Sequence, residues 1–181
     1  MNKASKRQTP EDAQVGREPR QYLTFSLGQE MFAIGILDIR EIIEYRGITT
    51  VPMVPAFVRG VINLRGAVVP VIDLAARFGR PSSEITRRTC IVIIELDNEG
   101  EQQVLGIVVD AVSAVLEIPD SQIEPAPAFG ARIRTDFIAG MGKVDERFVI
   151  LLNTQNVLAV DEMAMLAQLD EPERQPAEAE D

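Results

Sequence analysis

Phe57 to Leu74 reads FVRGVINLRGAVVPVIDL, and this stretch decides the fold because most of its pattern returns later in the chain. Phe57-Val58-Arg59-Gly60 and Ala67-Val68-Val69-Pro70-Val71-Ile72-Asp73 lie over Phe137-Ile138-Ala139-Gly140 and Arg147-Phe148-Val149-Ile150-Leu151-Leu152-Asn153 at a constant offset of 80. Upstream, IGILDIREIIE (Ile34 to Glu44) lies over IVVDAVSAVLE (Ile107 to Glu117) at an offset of 73, so one loop is seven residues longer. The chain is an internal repeat. Each half is only about 65 residues, a size at which an isolated domain buries barely enough surface to be stable. The halves are therefore expected to share a core.

Working outward, short β-branched runs alternate with turn signals: YLTFSL, MFAIGI, FVRGVINL, AVVPVIDL, TCIVIIEL, QVLGIVVDAVSAVLEI and RFVILL. Seven or more strands follow. The links Leu27-Gly28-Gln29-Glu30, Asn63-Leu64-Arg65-Gly66 and Asp97-Asn98-Glu99-Gly100 place glycine where hairpins need a positive φ. Pro70 has no N–H to donate, which predicts a bulge or a sheet edge. Only Leu74 to Phe78 and Asn153 to Leu169 look helical, with Asn153 or Thr154 as a cap for the second. The expected architecture is mostly β: two five-stranded barrels related by a pseudo-twofold, with a short linking helix and a C-terminal helix. Closure into barrels removes exposed strand edges.

The chain of 181 residues is 46% hydrophobic with no tryptophan, so Val, Ile and Leu must build its core. Its formal charge of −10 opposes nucleic acid and anionic membranes. No apolar run approaches the roughly 20 residues of a spanning helix, and the N-terminus has no apolar signal region. With one cysteine, Cys90, unable to form an internal disulfide, a cytoplasmic protein without direct membrane insertion is expected. Residues 1–20 read as a polar tail, and Asp170 to Asp181, with six acids against one base, as an acidic one.

Catalytic chemistry finds little to work with. Histidine is absent, which removes the commonest general base and metal ligand. Cys90 opens the apolar run CIVIIEL and has no imidazole to activate it. Gly140-Met141-Gly142-Lys143 lacks the spacing of a phosphate loop and reads as a hairpin strand. The carboxylates, among them Asp145-Glu146 and Asp161-Glu162, show no close pair at metal-ligand spacing. No enzyme, metal or cofactor is expected.

Two features stand out instead. Arg65 falls over Asp145 in the repeat, so two hairpins with matching apolar frames carry opposite charges, which suggests that one was adapted for a partner. Ile36, Ile39 and Ile42 recur at a spacing of three, continuous on neither a simple helix nor a simple strand. Ile39 falls over Val112 and Ile42 over Val115, which places both sets near the junction of the halves.

The motif FVRGVINLRGAVVPVIDL, with VLGIVVDAVSAVLEI and a following Pro125-Ala126-Pro127 loop, resembles the CheW-like domain family from about Gln21 to Leu169. The resemblance implies two SH3-like barrels, at residues 21–85 and 86–152, with the C-terminal helix to residue 169 packed alongside the second. It implies an adaptor joining the cytoplasmic tips of chemoreceptors to the regulatory domain of a CheA-type histidine kinase in membrane-associated arrays. By carry-over, a groove between the barrels takes the receptor tip and is lined by Leu23, Ile36, Ile39, Ile42, Val112 and Val115. Glu41, Gly60 and Arg65 match positions associated with receptor coupling, and Val51 and Phe129 are placed at kinase contacts. Two alternatives stay open: the same scaffold serving twitching, gliding or second-messenger control, and a small-molecule-binding barrel with Ile36, Ile39 and Val112 lining a pocket.

Overall fold

The computed structural model describes residues 20–98, 100–127 and 135–159. They form eleven strands: β1 (Arg20–Leu27), β2 (Glu30–Gly35), β3 (Ile39–Glu44), β4 (Val58–Leu64), β5 (Ala67–Asp73), β6 (Cys90–Asn98), β7 (Glu101–Val109), β8 (Ala111–Ile118), β9 (Ile123–Glu124), β10 (Ile138–Val144) and β11 (Arg147–Leu152). Two single-turn helices follow β5 and β11, α1 (Leu74–Arg77) and α2 (Thr154–Val157). The strands make two sheets, ordered β8-β1-β2-β11-β10-β9 and β3-β6-β7-β5-β4. The expectation of a mostly β chain in two subdomains therefore holds, although one of the two sheets has six strands and not the five expected of each barrel.

The repeat and the sheets divide the chain differently. Hairpin β1-β2 of the first repeat completes the sheet built from β8 to β11, and hairpin β6-β7 of the second completes the sheet built from β3, β4 and β5. Each repeat thus lends its first hairpin to the other. The joins are the two parallel pairings, Leu151 with Ala33 and Val71 with Gly106, which coincide under the repeat offsets. A cut near residue 85 separates the repeats but leaves both sheets incomplete, which is the physical reason that halves of this size are stable together.

Three apolar clusters result. Ile62, Val69, Val71, Ile91, Ile93 and Val108 fill the five-stranded sheet's own interior, and Tyr22, Ala33, Ile118, Val149 and Leu151 that of the six-stranded sheet. The third and largest is shared: Leu23, Phe25, Phe32 and Ile34 from one sheet meet Ile72, Val92, Ile94, Leu105 and Ile107 from the other. Phe32 stacks between Phe25 and Phe78, with ring centroids 6.1 and 5.5 Å apart. The buried Arg77 lies over the repeat-related rings of Phe57 and Phe137, at 5.2 and 4.8 Å, and donates to the Val157 carbonyl at 2.8 Å. A guanidinium between two aromatic faces is tolerated here because the rings and the α2 carbonyl replace its water.

Two local expectations need correction. Pro70 sits on the inner strand β5, opposite Val61, at neither an edge nor a bulge. The N–H and C=O of Val61 are spent on Thr49, at 2.9 and 2.8 Å, so Val61 and Pro70 exchange no hydrogen bond. The parallel register with β7 begins one residue later, at Val71, so the missing N–H leaves no partner stranded. The second correction concerns the helix expected over Asn153 to Leu169. Asn153 caps it as expected, accepting from the Asn156 N–H at 3.0 Å, but the helix ends at Val157; residues 160–169 lie outside the described residues.

Candidate protein-binding surface

The spacing of three that fits no regular element is resolved by β-bulges. Against β6, Ile39 faces Ile94 and Glu41 faces Ile93, so Arg40 is an extra residue. That insertion returns Ile42, opposite Val92, to the same face as Ile39. On β8 the extra residue is Ser113, and Val112 and Val115 share a face opposite Phe25 and Leu23. Directly opposed residues in an antiparallel pair point the same way. Leu23, Phe25, Val92 and Ile94 all belong to the shared core, so the four aliphatic residues lie on the sheet faces that meet there. Ile39 and Val112 pack against that one cluster, while Ile42 and Val115 emerge from it, 42% and 48% exposed. The result is an apolar row on each of the edge strands β3 and β8, both beginning on the shared core and ending in solvent.

The charged candidates sit beside this row on the opposite face of β3. Glu41 faces Ile93 of the five-stranded interior and receives two hydrogen bonds from Arg65, at 2.6 and 3.0 Å. The bidentate pair joins residues 24 apart in sequence. The Arg65 bond holds the Glu41 carboxyl below the usual carboxylate range, and Glu41 in turn raises the guanidinium. Arg65 has φ +53° and Gly66 +90°, the two central residues of a tight hairpin turn that favours Asn-Gly. An arginine at the first position is backbone-unfavourable, and its side chain is 71% exposed.

The remaining candidates separate from these two patches. Gly60 is buried and offers no side chain; a Cβ there would stand 2.1 Å from the Thr49 carbonyl oxygen, so glycine is required by the backbone. Ile36 lies in the 3-10 turn Ile36–Asp38 and lines a cavity of about 780 Å³ with Leu37, Ala139 and Thr154, away from the Ile39 and Ile42 face. Leu23 is buried in the shared core and contributes beneath the row. Val51 is exposed in the β3 to β4 connection, and Phe129 lies outside the described residues.

A charge network escaped the sequence reading. Asp73, fully buried, accepts from Arg59 Nε at 3.0 Å, from the Ser83 N–H at 3.1 Å and, through its other oxygen, from the Ala76 N–H at 3.2 Å. Arg59 also donates to the Ser83 carbonyl at 2.7 Å and to the Tyr45 hydroxyl at 3.3 Å. Arg59 is itself a bulge residue, between Val58 and Gly60. The signal was available: Arg59 and Asp73 become Ala139 and Asn153 in the second repeat, a paired loss of opposite charges.

Burial, with Glu44 nearby, pushes the Cys90 thiol upward, which makes it a poorer nucleophile. Among the described residues no three His, Cys, Asp or Glu side chains are grouped to hold a metal, and no helix is long and apolar enough to cross a membrane.

Comparison with known proteins places this geometry. Residues 21–162 match the CheW-like domain. The chain is 40% identical over 152 residues to the chemotaxis protein CheW of Klebsiella aerogenes, covering 84% of this chain and 87% of that one. It is 27% identical over 118 residues to protein FrzA of Myxococcus xanthus, covering 65% and 71%. The crystal structure of the scaffolding protein TtCheW from Thermoanaerobacter tengcongensis superposes with a TM-score of 0.70 at 35% identity, covering 80% of this chain and 91% of that one. The fold defines a mostly β protein built on two sheets. The chain belongs to the CheW-like domain family.

Proposed function

We propose that this protein is a non-catalytic adaptor that couples chemoreceptors to a CheA-type histidine kinase, with the receptor tip seated along the Ile39, Ile42, Val112 and Val115 row. The observation that carries the reading is these apolar residues of β3 and β8, which run from the shared core into solvent, with the Glu41–Arg65 pair on the other face of β3. Apolar side chains emerging from a packed core supply affinity to an amphipathic helix, and a bidentate charge pair at the rim fixes its orientation. Relatives that bear the names of chemotaxis and scaffolding proteins support the same reading. The exposed Val51 belongs, on this proposal, to the kinase-facing side of the molecule.

Reconstituted arrays of receptor membranes, kinase and this protein test it. Arg65→Ala is expected to leave thermal unfolding nearly unchanged and to lower receptor-dependent kinase activation. Arg65→Asn sharpens the test, because asparagine suits the left-handed turn position: Tm should hold or rise while coupling falls. Full coupling by both variants would take Arg65 out of the interface. Full coupling by Ile42→Asp together with Val115→Asp would overturn the receptor row itself.

A further inference from the structure

The links that lead into the edge strands β3 and β8 stand at equivalent places in the repeat, yet they are held in different ways. In the second half the link is Val109-Asp110-Ala111, which lies over Ile36-Leu37-Asp38 at the offset of 73. Val109 and Ala111 are buried, and the Asp110 N–H donates to the Ser26 carbonyl of β1 at 3.0 Å. Burial and a backbone bond thus fix the start of β8. The first-half turn buries none of its three residues, and Leu37 is 96% exposed. Packing alone leaves such a turn poorly fixed.

A side-chain bond across the repeat boundary ties it down. The Thr154 hydroxyl, on the first residue of α2, donates to Asp38 Oδ2 at 2.9 Å, between residues 116 apart in sequence. Thr154 is buried, and its own carbonyl accepts from the Leu158 N–H at 3.0 Å, so the donor sits on a fixed element. A carboxylate acceptor makes the bond stronger than one between neutral groups. At the equivalent places in the other half stand Ala111 and Leu74, both buried and apolar. One half thus uses a polar pair where the other uses an apolar one. The residue after Asp38 is Ile39, the first of the β3 row, and Arg40 beyond it is the extra residue that returns Ile42 to the same face. Arg40 reaches Glu95 at 3.4 Å, but an exposed pair of this kind adds little.

We infer that Asp38 and Thr154 are positioning residues, whose hydrogen bond anchors the Ile36–Asp38 turn to α2 and so holds Ile39 and Ile42 in the arrangement a partner helix meets. The functional consequence rests on the receptor reading; the anchor itself does not.

The test uses the full chain with Thr154→Val, which keeps the shape and removes the hydroxyl, Thr154→Ser, which keeps the hydroxyl, Asp38→Ala, and the double variant Asp38→Ala with Thr154→Val. Amide hydrogen exchange is read at Ile39, whose N–H donates to the Ile36 carbonyl and closes the turn. Exchange there should quicken several-fold in Thr154→Val and in Asp38→Ala, no further in the double variant, and stay at the wild-type rate in Thr154→Ser. The Val157 and Leu158 amides of α2 should keep their protection. Wild-type exchange in Thr154→Val, additive effects in the double variant, an equal change in Thr154→Ser or a loss of protection in α2 would each overturn the anchor. Co-sedimentation with receptor-containing membranes reads the consequence: apparent affinity should fall several-fold in Thr154→Val and return in Thr154→Ser. Wild-type affinity in Thr154→Val, with binding lost in Ile42→Asp plus Val115→Asp, would overturn the positioning role and leave the receptor reading standing. Wild-type affinity in both would overturn the receptor reading and the positioning role together, while the exchange result still decides the anchor.

Discussion

The two halves of this protein share a backbone plan down to the position of their bulges, yet they place charge on opposite principles. Around the five-stranded sheet, Arg59 meets the buried Asp73 and Arg65 meets Glu41. At the matching positions near the six-stranded sheet stand Ala139 with Asn153 and Asp145 with Ala114. Both pairs were lost or gained together. A buried carboxylate without its guanidinium is strongly unfavourable, which fits the neutral Asn153 standing in for Asp73 in the half where Ala139 stands in for Arg59. The exposed pair has no such necessity, because surface ion pairs add little stability. Its presence in one half only, on a turn whose backbone disfavours arginine, fits a role in contact with another molecule.

The largest expected effect follows from that contrast. Asp73→Ala removes the acceptor for Arg59, Ser83 and the α1 cap at once, and should cost about 3–5 kcal/mol in urea unfolding, as for breaking a buried pair. Asn153→Ala, at the equivalent place without a charge partner, loses only a cap and should cost about 1 kcal/mol. Equal losses would show that the Asp73 network is not held by its charges.

A smaller contrast concerns Gly60 and Gly140, both next to bulges. At Gly60 an added Cβ meets the Thr49 carbonyl oxygen at 2.1 Å on a backbone with φ +147°, and neither neighbour can yield without breaking the Thr49–Val61 bridge. At Gly140 the nearest atom is Ile123 Cγ2 at 2.7 Å, a side-chain methyl that can rotate, with the Glu124 carbonyl oxygen at 3.2 Å. Gly60→Ala should therefore lower Tm clearly more than Gly140→Ala, with backbone strain alone worth about 1–3 kcal/mol. The reverse order would mean that the bridge between Thr49, in the β3 to β4 connection, and Val61 of β4 is soft. The same observation assigns Gly60 a role in the backbone, whatever the partner surface requires.

The repeat offsets and the β-branched runs made the strand content and the shared core legible, because period and composition act locally. The exchange of hairpins was not legible: β1 and β2 are equally good partners for either half by sequence, and only the parallel joins at Ala33 and Gly106 decide between them. The bulges hid for a related reason. A two-residue alternation is the only strand signal in a single sequence, and Arg40 and Ser113 each break it by one. Their recurrence at the same repeat position was the available clue. Sequence also grouped Ile36 with Ile39 and Ile42, whereas the 3-10 turn directs Ile36 to the Ala139 cavity.

The smallest effect separates the exposed charge pair from the buried one by pH. The Arg65 hydrogen bond lowers the Glu41 carboxyl in the folded state, so the stabilisation it brings is present above the ordinary carboxylate range and is lost as pH falls through the lowered value. Because the pair is exposed, the contribution is slight and screened by salt. Wild type should therefore unfold at a marginally higher urea midpoint than Glu41→Gln at pH 7 and low ionic strength, with the gap closing as pH falls through the lowered value, below which both side chains are neutral. The gap should also shrink in about 1 M salt, where the Debye length is near 3 Å. A difference that survived both acid and salt would place the cause in packing around Ile93 and Ile43, and the pair would then belong to the sheet's interior as Asp73 does.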